Sequence, residues 1–149
     1  MGRGDVRQNS LRIARAVGLA AAVAAMTTMQ SGAAFAADPS GTWLSESGKT
    51  KVRMAPCGAA FCGTILWVKG PEQNDVNNPN AAKHDKPLVG STMIYDMKPD
   101  GDAYKGALYD YTSGKTYTGK LKADGDTLEL SGCVLGGLIC QSENWSRAK

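Results

Sequence analysis

Short runs of alternating apolar and polar residues, separated by turn residues, dominate the chain after residue 40. Between residues 50 and 55, Val52 and Met54 alternate with Lys51 and Arg53. This period of two is typical of a strand with one buried face. A sustained helical repeat is missing from the same region. The pattern predicts eight strands, over residues 42–46, 50–55, 61–69, 91–97, 103–109, 115–123, 127–133 and 139–147.

Most of these predicted strands are joined by tight turns, which is typical of an up-and-down antiparallel meander. Eight such strands either split into a sandwich or close into a barrel, and closure removes exposed sheet edges. We therefore predict an all-β fold, an eight-stranded antiparallel up-and-down barrel. Its interior is either filled by side chains or holds one small ligand. The long connection over residues 70–86 is expected to lie across the barrel mouth.

Both ends of the meander support closure. Gly41-Thr42-Trp43 opens the first predicted strand, and Trp145-Ser146-Arg147 ends the last. These strands are neighbours in a closed barrel, so we expect Arg147 to lie across the ring of Trp43 and close one end. This combination resembles the structural signature of lipocalins.

A broader resemblance covers residues 38–147. Its pieces are Gly41-Thr42-Trp43, Cys62-Gly63-Thr64-Ile65-Leu66-Trp67, Asp75 with Asn78-Pro79, Lys86-Pro87-Leu88-Val89-Gly90, Tyr109-Asp110 with Gly114-Lys115-Thr116-Tyr117, and the stretch from Gly132-Cys133 to Arg147. Together they resemble the bacterial domain-of-unknown-function family 2147, small secreted proteins with a lipocalin-like barrel. Tyr111 departs from the resemblance, because the family's turn has proline there. The resemblance implies an envelope location and a cavity for an apolar ligand, and it transfers no catalytic residues.

The first 36 residues are predicted to be a signal peptide. Four arginines between residues 3 and 15 precede an apolar run over residues 16–26, and Ala34-Phe35-Ala36 offers a cleavage site. This run is too short to span a bilayer, which takes about 20 apolar residues. We expect Sec-type export with cleavage near Ala36, a periplasmic location, no membrane span, and one domain over residues 37–149.

Charge argues against a nucleic-acid partner. The first 36 residues hold four of the 17 basic residues and one of the 14 acidic residues, which leaves 13 of each in the remainder. The predicted mature chain is therefore close to neutral. A neutral domain lacks the general electrostatic attraction that draws proteins to nucleic acid or anionic lipid.

The four cysteines form two closely spaced pairs. Cys57 and Cys62 enclose four residues, and Cys133 and Cys140 enclose six. An even number at short spacing in an exported small domain favours disulfides. We predict local bridges, Cys57–Cys62 and Cys133–Cys140. Neither spacing is the Cys-x-x-Cys of redox enzymes.

No arrangement of residues indicates catalysis or metal binding. His84 is the only histidine, and the chain has no Gly-x-Ser-x-Gly motif for a serine nucleophile. Asp96 and Asp110 each follow a tyrosine near a predicted strand end, where an aspartate usually begins a turn. The stretch from Asp75 lacks the glycine and glutamate of a calcium loop. We therefore predict a protein that is not an enzyme and has no cofactor and no metal.

Aromatic residues are the predicted ligand contacts. Facing inward, Trp67, Tyr95, Tyr104 and Tyr117 would line an apolar pocket with a few hydroxyls, and glycines 63, 106 and 119 would leave space beside them. The alternative is that the aromatic side chains only fill the core. Two functions remain: a periplasmic protein that binds a small apolar or amphipathic molecule, or an envelope structural or interaction module with a packed barrel and no ligand. The interior volume distinguishes them.

Overall fold

The computed structural model describes residues 34–149, and most of the predicted signal peptide, residues 1–33, lies outside them. Burial alternates most clearly over residues 50–55 and 119–124, and the described residues form strands rather than helices, apart from two short 3-10 turns. The strands are β1 Gly41–Leu44, β2 Thr50–Cys57, β3 Ala60–Val68, β4 Thr92–Asp100, β5 Ala103–Asp110, β6 Lys115–Asp124, β7 Thr127–Val134 and β8 Ile139–Arg147.

Each strand pairs antiparallel with the next one, and β8 pairs with β1 to close the barrel. The predicted fold class is therefore confirmed. The β1–β8 seam is short, because it joins only Trp43 to Arg147 and Leu44 to Ser146. The first part of β8 pairs only with β7 and extends beyond the end of β1.

Large apolar side chains fill the barrel interior at the end where the chain enters and leaves. The largest of them are almost completely buried: Trp43, Met54, Ile94, Met97, Leu121 and Leu128. The prediction that three glycines leave free space is wrong. A Cβ on Gly63 would lie 2.8 Å from the Cβ of Ile94, and one on Gly119 would lie 2.6 Å from the Cε of Met97. At Gly106 the added atom would collide with the carbonyl oxygen of Tyr95.

Arg147 closes this end of the barrel. Its guanidinium carbon lies 4.2 Å from the centroid of the Trp43 ring. The same group donates hydrogen bonds to the carbonyls of Ser40 and Gly125, both at 3.1 Å, and its Nε lies 3.2 Å from Asp126. A hydrogen bond also fixes the Trp43 ring, since its Nε1 donates to the carbonyl of Pro39 at 2.9 Å.

Arg147→Ala is expected to lower the free energy of unfolding by about 1–2 kcal/mol, because it removes the cation–π contact and the packing over Trp43. Chemical denaturation measures the difference, and the dependence of the unfolding free energy on denaturant concentration should be the same in both proteins. Arg147→Lys keeps the charge but cannot bond to two carbonyls in a fork, so it should recover only part of the loss. A denaturation midpoint for Arg147→Ala equal to that of the wild type would contradict this role.

Both predicted disulfides are confirmed. Cys57–Cys62 joins the ends of β2 and β3 across their turn, and Cys133–Cys140 joins β7 to β8. Disulfides persist in oxidising compartments, so the two bridges fit an extracytoplasmic protein. In the part of the chain from residue 34 onwards, no helix is long and apolar enough to cross a bilayer.

Candidate functional site

A cavity of about 440 Å³ opens at the barrel end opposite Arg147. We call it the mouth cavity. In an up-and-down barrel the β1–β2, β5–β6 and β7–β8 connections meet at one end, and residues beside all three of these connections line the cavity. The packed interior described above forms the lower part of the barrel. The mouth cavity is therefore the space that remains above a filled core.

The mouth cavity has an apolar floor and a polar wall. Met93, Leu108, Leu130 and Trp145 supply the floor, and all four are buried. Hydroxyl and charged groups supply the wall: Ser45, Ser47, Lys49, Thr50, Asp110, Tyr111, Tyr117 and Glu143. An apolar surface with a few convergent polar groups is the usual make-up of a small-molecule site.

Hydrogen bonds hold several wall groups in place. The Thr50 and Tyr111 hydroxyls are 2.7 Å apart, which joins β2 to the β5–β6 turn. Trp145 Nε1 donates to the Glu143 carboxylate at 2.9 Å. This bond forms because residues two apart on a strand share a face. It turns the carboxylate of an otherwise exposed residue toward the tryptophan at the floor.

Asp110 stays ionised at the cavity rim. Partial burial alone would raise the pKa of Asp110, but hydrogen bonds from Ser113 and Thr112 favour the carboxylate and lower its pKa below the usual value. The hydroxyls of Thr112 and Ser113 both donate at 2.6 Å. The rim therefore carries fixed negative charge at neutral pH.

The long connection does not lie across the mouth, contrary to the sequence-based expectation. We call residues 69–91 the outer loop, and none of them lines the mouth cavity. Asn77 Nδ2 donates to the carbonyls of Tyr111 and Thr112 at 3.2 and 3.1 Å. The Tyr109 hydroxyl donates to Asp75 at 2.6 Å. Because Leu108 points into the core, Tyr109 lies on the outer face of β5, and these bonds hold the outer loop against that face.

A second cavity, of about 480 Å³, lies between the outer loop and the barrel wall. We call it the outer pocket. Asp75 is buried there, and its two carboxylate oxygens accept hydrogen bonds from Tyr109 and from Asn78 Nδ2, the latter at 2.7 Å. Lys83 and Lys86 line the same pocket. These contacts fix the position of the outer loop.

Burial and the hydrogen bond to Asp75 raise the pKa of Tyr109 well above its usual value of 10.0. The folded protein therefore keeps this proton at pH values where the unfolded chain has lost it. The contribution of Tyr109 to the free energy of unfolding is therefore fully present below pH 10 and falls as the pH rises above 10.

Tyr109→Phe is expected to lower the free energy of unfolding by about 1–2 kcal/mol at pH 8, because Asp75 loses a buried hydrogen bond. The difference from the wild type should shrink as the pH rises above 10. Urea denaturation at pH 8, 10 and 11 measures both effects. Tyr111→Phe is the matched control, because it removes a hydroxyl that does not bond to Asp75. A gap between wild type and Tyr109→Phe that stays constant up to pH 11 would contradict the assignment.

The structure places Trp67 on the outer face of the barrel, which corrects the expectation that it faces inward. The cause is a β-bulge: Lys51 pairs with Trp67, whereas the next residue, Val52, pairs with Ile65. The extra residue, Leu66, reverses the alternation at this point. As a result Trp67 is 41% exposed, and its ring lies 5.9 Å from the Lys51 ammonium.

The other three predicted aromatic residues lie in three different places. Tyr104 is buried at the closed end, where its ring meets Phe61 edge-on with centroids 5.4 Å apart. Tyr95 lines the outer pocket, and its hydroxyl donates to the carbonyl of Thr92. Tyr117 alone of the four lines the mouth cavity. The predicted residues are therefore not one site, and ligand contact by Tyr117 stays a prediction.

Sequence reasoning missed the residues that shape the two cavities. Glu143 and Trp145 stand two apart in a predicted strand, so their common face was a usable signal. Asp75 and Tyr109 both lie in stretches that carry the family resemblance, but 34 residues separate them. Their contact depends on how the outer loop folds back, which local patterns do not encode.

A Helicobacter pylori protein, HP1028, described as belonging to the lipocalin family, has a similar structure. The TM-score is 0.68 at 20% sequence identity, over 75% of this chain and 84% of that one. At this identity the likeness shows a shared fold. No curated protein matches the chain in sequence. The family described as "Uncharacterized protein conserved in bacteria (DUF2147)" matches residues 41–147, and the chain belongs to this family.

Proposed function

We propose that this protein is a periplasmic binding protein that holds one small amphipathic molecule in the mouth cavity. The observation that carries the proposal is the contrast inside one barrel. The lower interior is filled by large side chains, while the mouth keeps about 440 Å³ between an apolar floor and a polar wall. Ligand sites in proteins usually enclose about 300–1,000 Å³.

Charge around the mouth cavity suggests which head group the ligand carries. Asp110 and Glu143 contribute two carboxylates to the wall, and Lys49 contributes one ammonium. The two carboxylates would repel a negatively charged head group on the ligand. We therefore propose a ligand with a neutral or positively charged head group and an apolar part that rests on Leu108, Leu130 and Trp145.

Binding rather than catalysis is the proposed activity. The hydroxyl of Thr50 bonds to the hydroxyl of Tyr111, and the Asp110 carboxylate accepts a hydrogen bond from Thr112 in its own turn. These polar groups therefore fix the shape of the cavity wall. Export is supported by the two disulfides and by the predicted signal peptide. A carrier for a sparingly soluble molecule suits an aqueous compartment between two membranes.

A fluorescence titration tests the proposal. N-phenyl-1-naphthylamine, a neutral aromatic amine, is added to protein purified from the periplasm. We expect a saturable rise in probe emission with one site per chain, and partial quenching of the total tryptophan emission, because one of the three tryptophans, Trp145, lines the cavity. Displacement by long-chain amines or alcohols should exceed displacement by fatty acids of the same length. If no probe binds and the tryptophan emission stays constant, the packed-barrel interaction module becomes the better account.

A further inference from the structure

The connection between β7 and β8 carries an exposed apolar tip. We call residues 134–139 the hairpin tip. Leu135 is 69% exposed and Leu138 is 85% exposed, and Val134 and Ile139 beside them are also exposed. Exposed leucines occur singly on most proteins, but four apolar side chains around one turn form a patch that calls for an explanation.

Leu135 also has a backbone conformation that leucine rarely adopts. Its φ is 52°, and the two following glycines, Gly136 and Gly137, have φ of 68° and 94°. Glycine or asparagine would adopt this left-handed conformation more easily, because a branched side chain is crowded there. A leucine that is both exposed and strained gives the fold no evident advantage. Strained positions of this kind cluster at functional sites.

The hairpin tip stands on a rigid base that projects from the barrel. The Cys133–Cys140 disulfide joins the two strands directly below it. This part of β8 lies beyond the end of β1, so it has β7 on one side only. No charged residue occurs from 131 to 142. The tip is therefore an uncharged, apolar projection with a disulfide at its base.

We propose that the hairpin tip inserts into the interfacial region of a lipid bilayer and docks the barrel on a membrane surface. The size and shape of the tip favour lipid over a protein partner. A stable protein interface buries about 800 Å² on each partner, far more than four side chains on a narrow turn provide. A bilayer interface accepts a small apolar projection without a matching groove.

The charge distribution says which membrane the tip fits. No charged residue lies between residues 131 and 142, and the mouth next to the hairpin tip carries two carboxylates, Asp110 and Glu143, against one ammonium, Lys49. Attraction to anionic lipid is therefore not part of the interaction, and binding should be nearly independent of salt. Gly132 and Gln141 belong both to the hairpin and to the mouth cavity wall. Docking through the tip would hold the cavity close to the lipid, whether or not the cavity binds a ligand.

Tryptophan placed at the tip reports insertion directly. In Leu138→Trp, adding neutral phosphatidylcholine vesicles should shift the emission to shorter wavelength, and the protein should co-sediment with the vesicles. Raising the salt from 0.05 to 0.5 M should change the partition coefficient less than about twofold. The same shift without co-sedimentation, or no shift at all, would overturn the proposal.

Polar substitutions at the hairpin tip distinguish an effect on membrane insertion from an effect on folding. Leu135→Asn and Leu138→Ser should each lower partitioning of the unlabelled protein about tenfold, since each removes one apolar side chain from the lipid. Leu135→Asn should leave the melting temperature unchanged or raise it, because asparagine tolerates the left-handed backbone. Val89→Ser, an exposed apolar residue on the outer loop, is the matched control and should partition like the wild type. Equal effects of Val89→Ser and Leu138→Ser on vesicle partitioning would refute the proposal that the hairpin tip is the part that inserts.

Two further measurements show how a failure of vesicle binding is to be interpreted. Sedimentation equilibrium without vesicles detects self-association, and a dimer that Leu135→Asn abolishes would show that the tip binds a second copy instead. Titration with N-phenyl-1-naphthylamine without vesicles should be unchanged in the tip variants. If the wild type binds the probe but does not bind vesicles, the present inference is overturned and the mouth-cavity function still stands.

Discussion

Gly132→Leu is expected to weaken binding of N-phenyl-1-naphthylamine about 100-fold, which corresponds to about 3 kcal/mol. Gly132 lines the mouth cavity, and a Cβ placed on it would make ordinary 3.6 Å contacts with the Cβ and Cγ of Tyr117. The rest of the leucine would then occupy the space proposed for the ligand. Leucine also suits a strand better than glycine does, so the barrel should keep its stability.

Two glycine variants control this experiment. Gly132→Ala adds one methyl group and should change probe affinity only slightly. Gly119→Leu inserts its side chain into the packed core, where the Cβ alone would lie 2.7 Å from Cγ of Leu108. It should therefore lower stability. If Gly132→Leu binds the probe as tightly as the wild type, the probe does not occupy the mouth cavity.

Trp43→Ala is expected to lower the free energy of unfolding by about 3–5 kcal/mol. Trp43 is completely buried, and the substitution leaves a large cavity and removes the ring beneath Arg147. It also leaves the carbonyl of Pro39 without the donor that Trp43 Nε1 supplies. Such a loss is a large fraction of the 5–15 kcal/mol that is typical for a whole domain.

The matched control is the same substitution on the outer face. Trp67→Ala should cost less than about 1 kcal/mol, because it removes a half-exposed ring beside Lys51. Denaturant titrations of both variants, followed by far-UV circular dichroism, compare them directly. Equal losses for Trp43→Ala and Trp67→Ala would contradict the inside–outside assignment of the two rings.

Much of the barrel could be predicted from local pattern. Strand β2 was visible because Val52 and Met54 alternate with charged residues, and every observed strand overlaps a predicted one. Local spacing also identified both disulfides, since a closely spaced pair of cysteines has few other partners. These features depend on near neighbours in sequence, which a period of two and turn residues describe well.

Inward and outward assignments failed wherever the strands are irregular. One extra residue at Leu66 turns Trp67 outward, and no glycine at residues 65–67 marks this bulge in the sequence. Strand β4 has a similar interruption, marked by Asp96 with φ of 48° and by a register shift against β5. Alternation counted across such a point assigns the wrong face to every later residue in the strand.

Contacts between distant segments were also beyond sequence reasoning. The spaces beside Gly63 and Gly119 are filled by Ile94 and Met97 from β4, which no local pattern relates to either glycine. The outer loop lies against β5 because Asp75 meets Tyr109. Each arrangement follows from packing of the closed barrel, and the mouth cavity is what that packing leaves.

Native mass spectrometry of the wild type and Gly132→Leu, both purified from the periplasm of a producing cell, tests the central claim most directly. We predict that the wild type carries one additional small molecule per chain, released by organic extraction, and that Gly132→Leu has only the mass of the processed protein. Fragmentation would then identify an amphipathic compound with a neutral or cationic head group. A wild type without any adduct, or an adduct that Gly132→Leu retains, would contradict ligand binding in the mouth cavity.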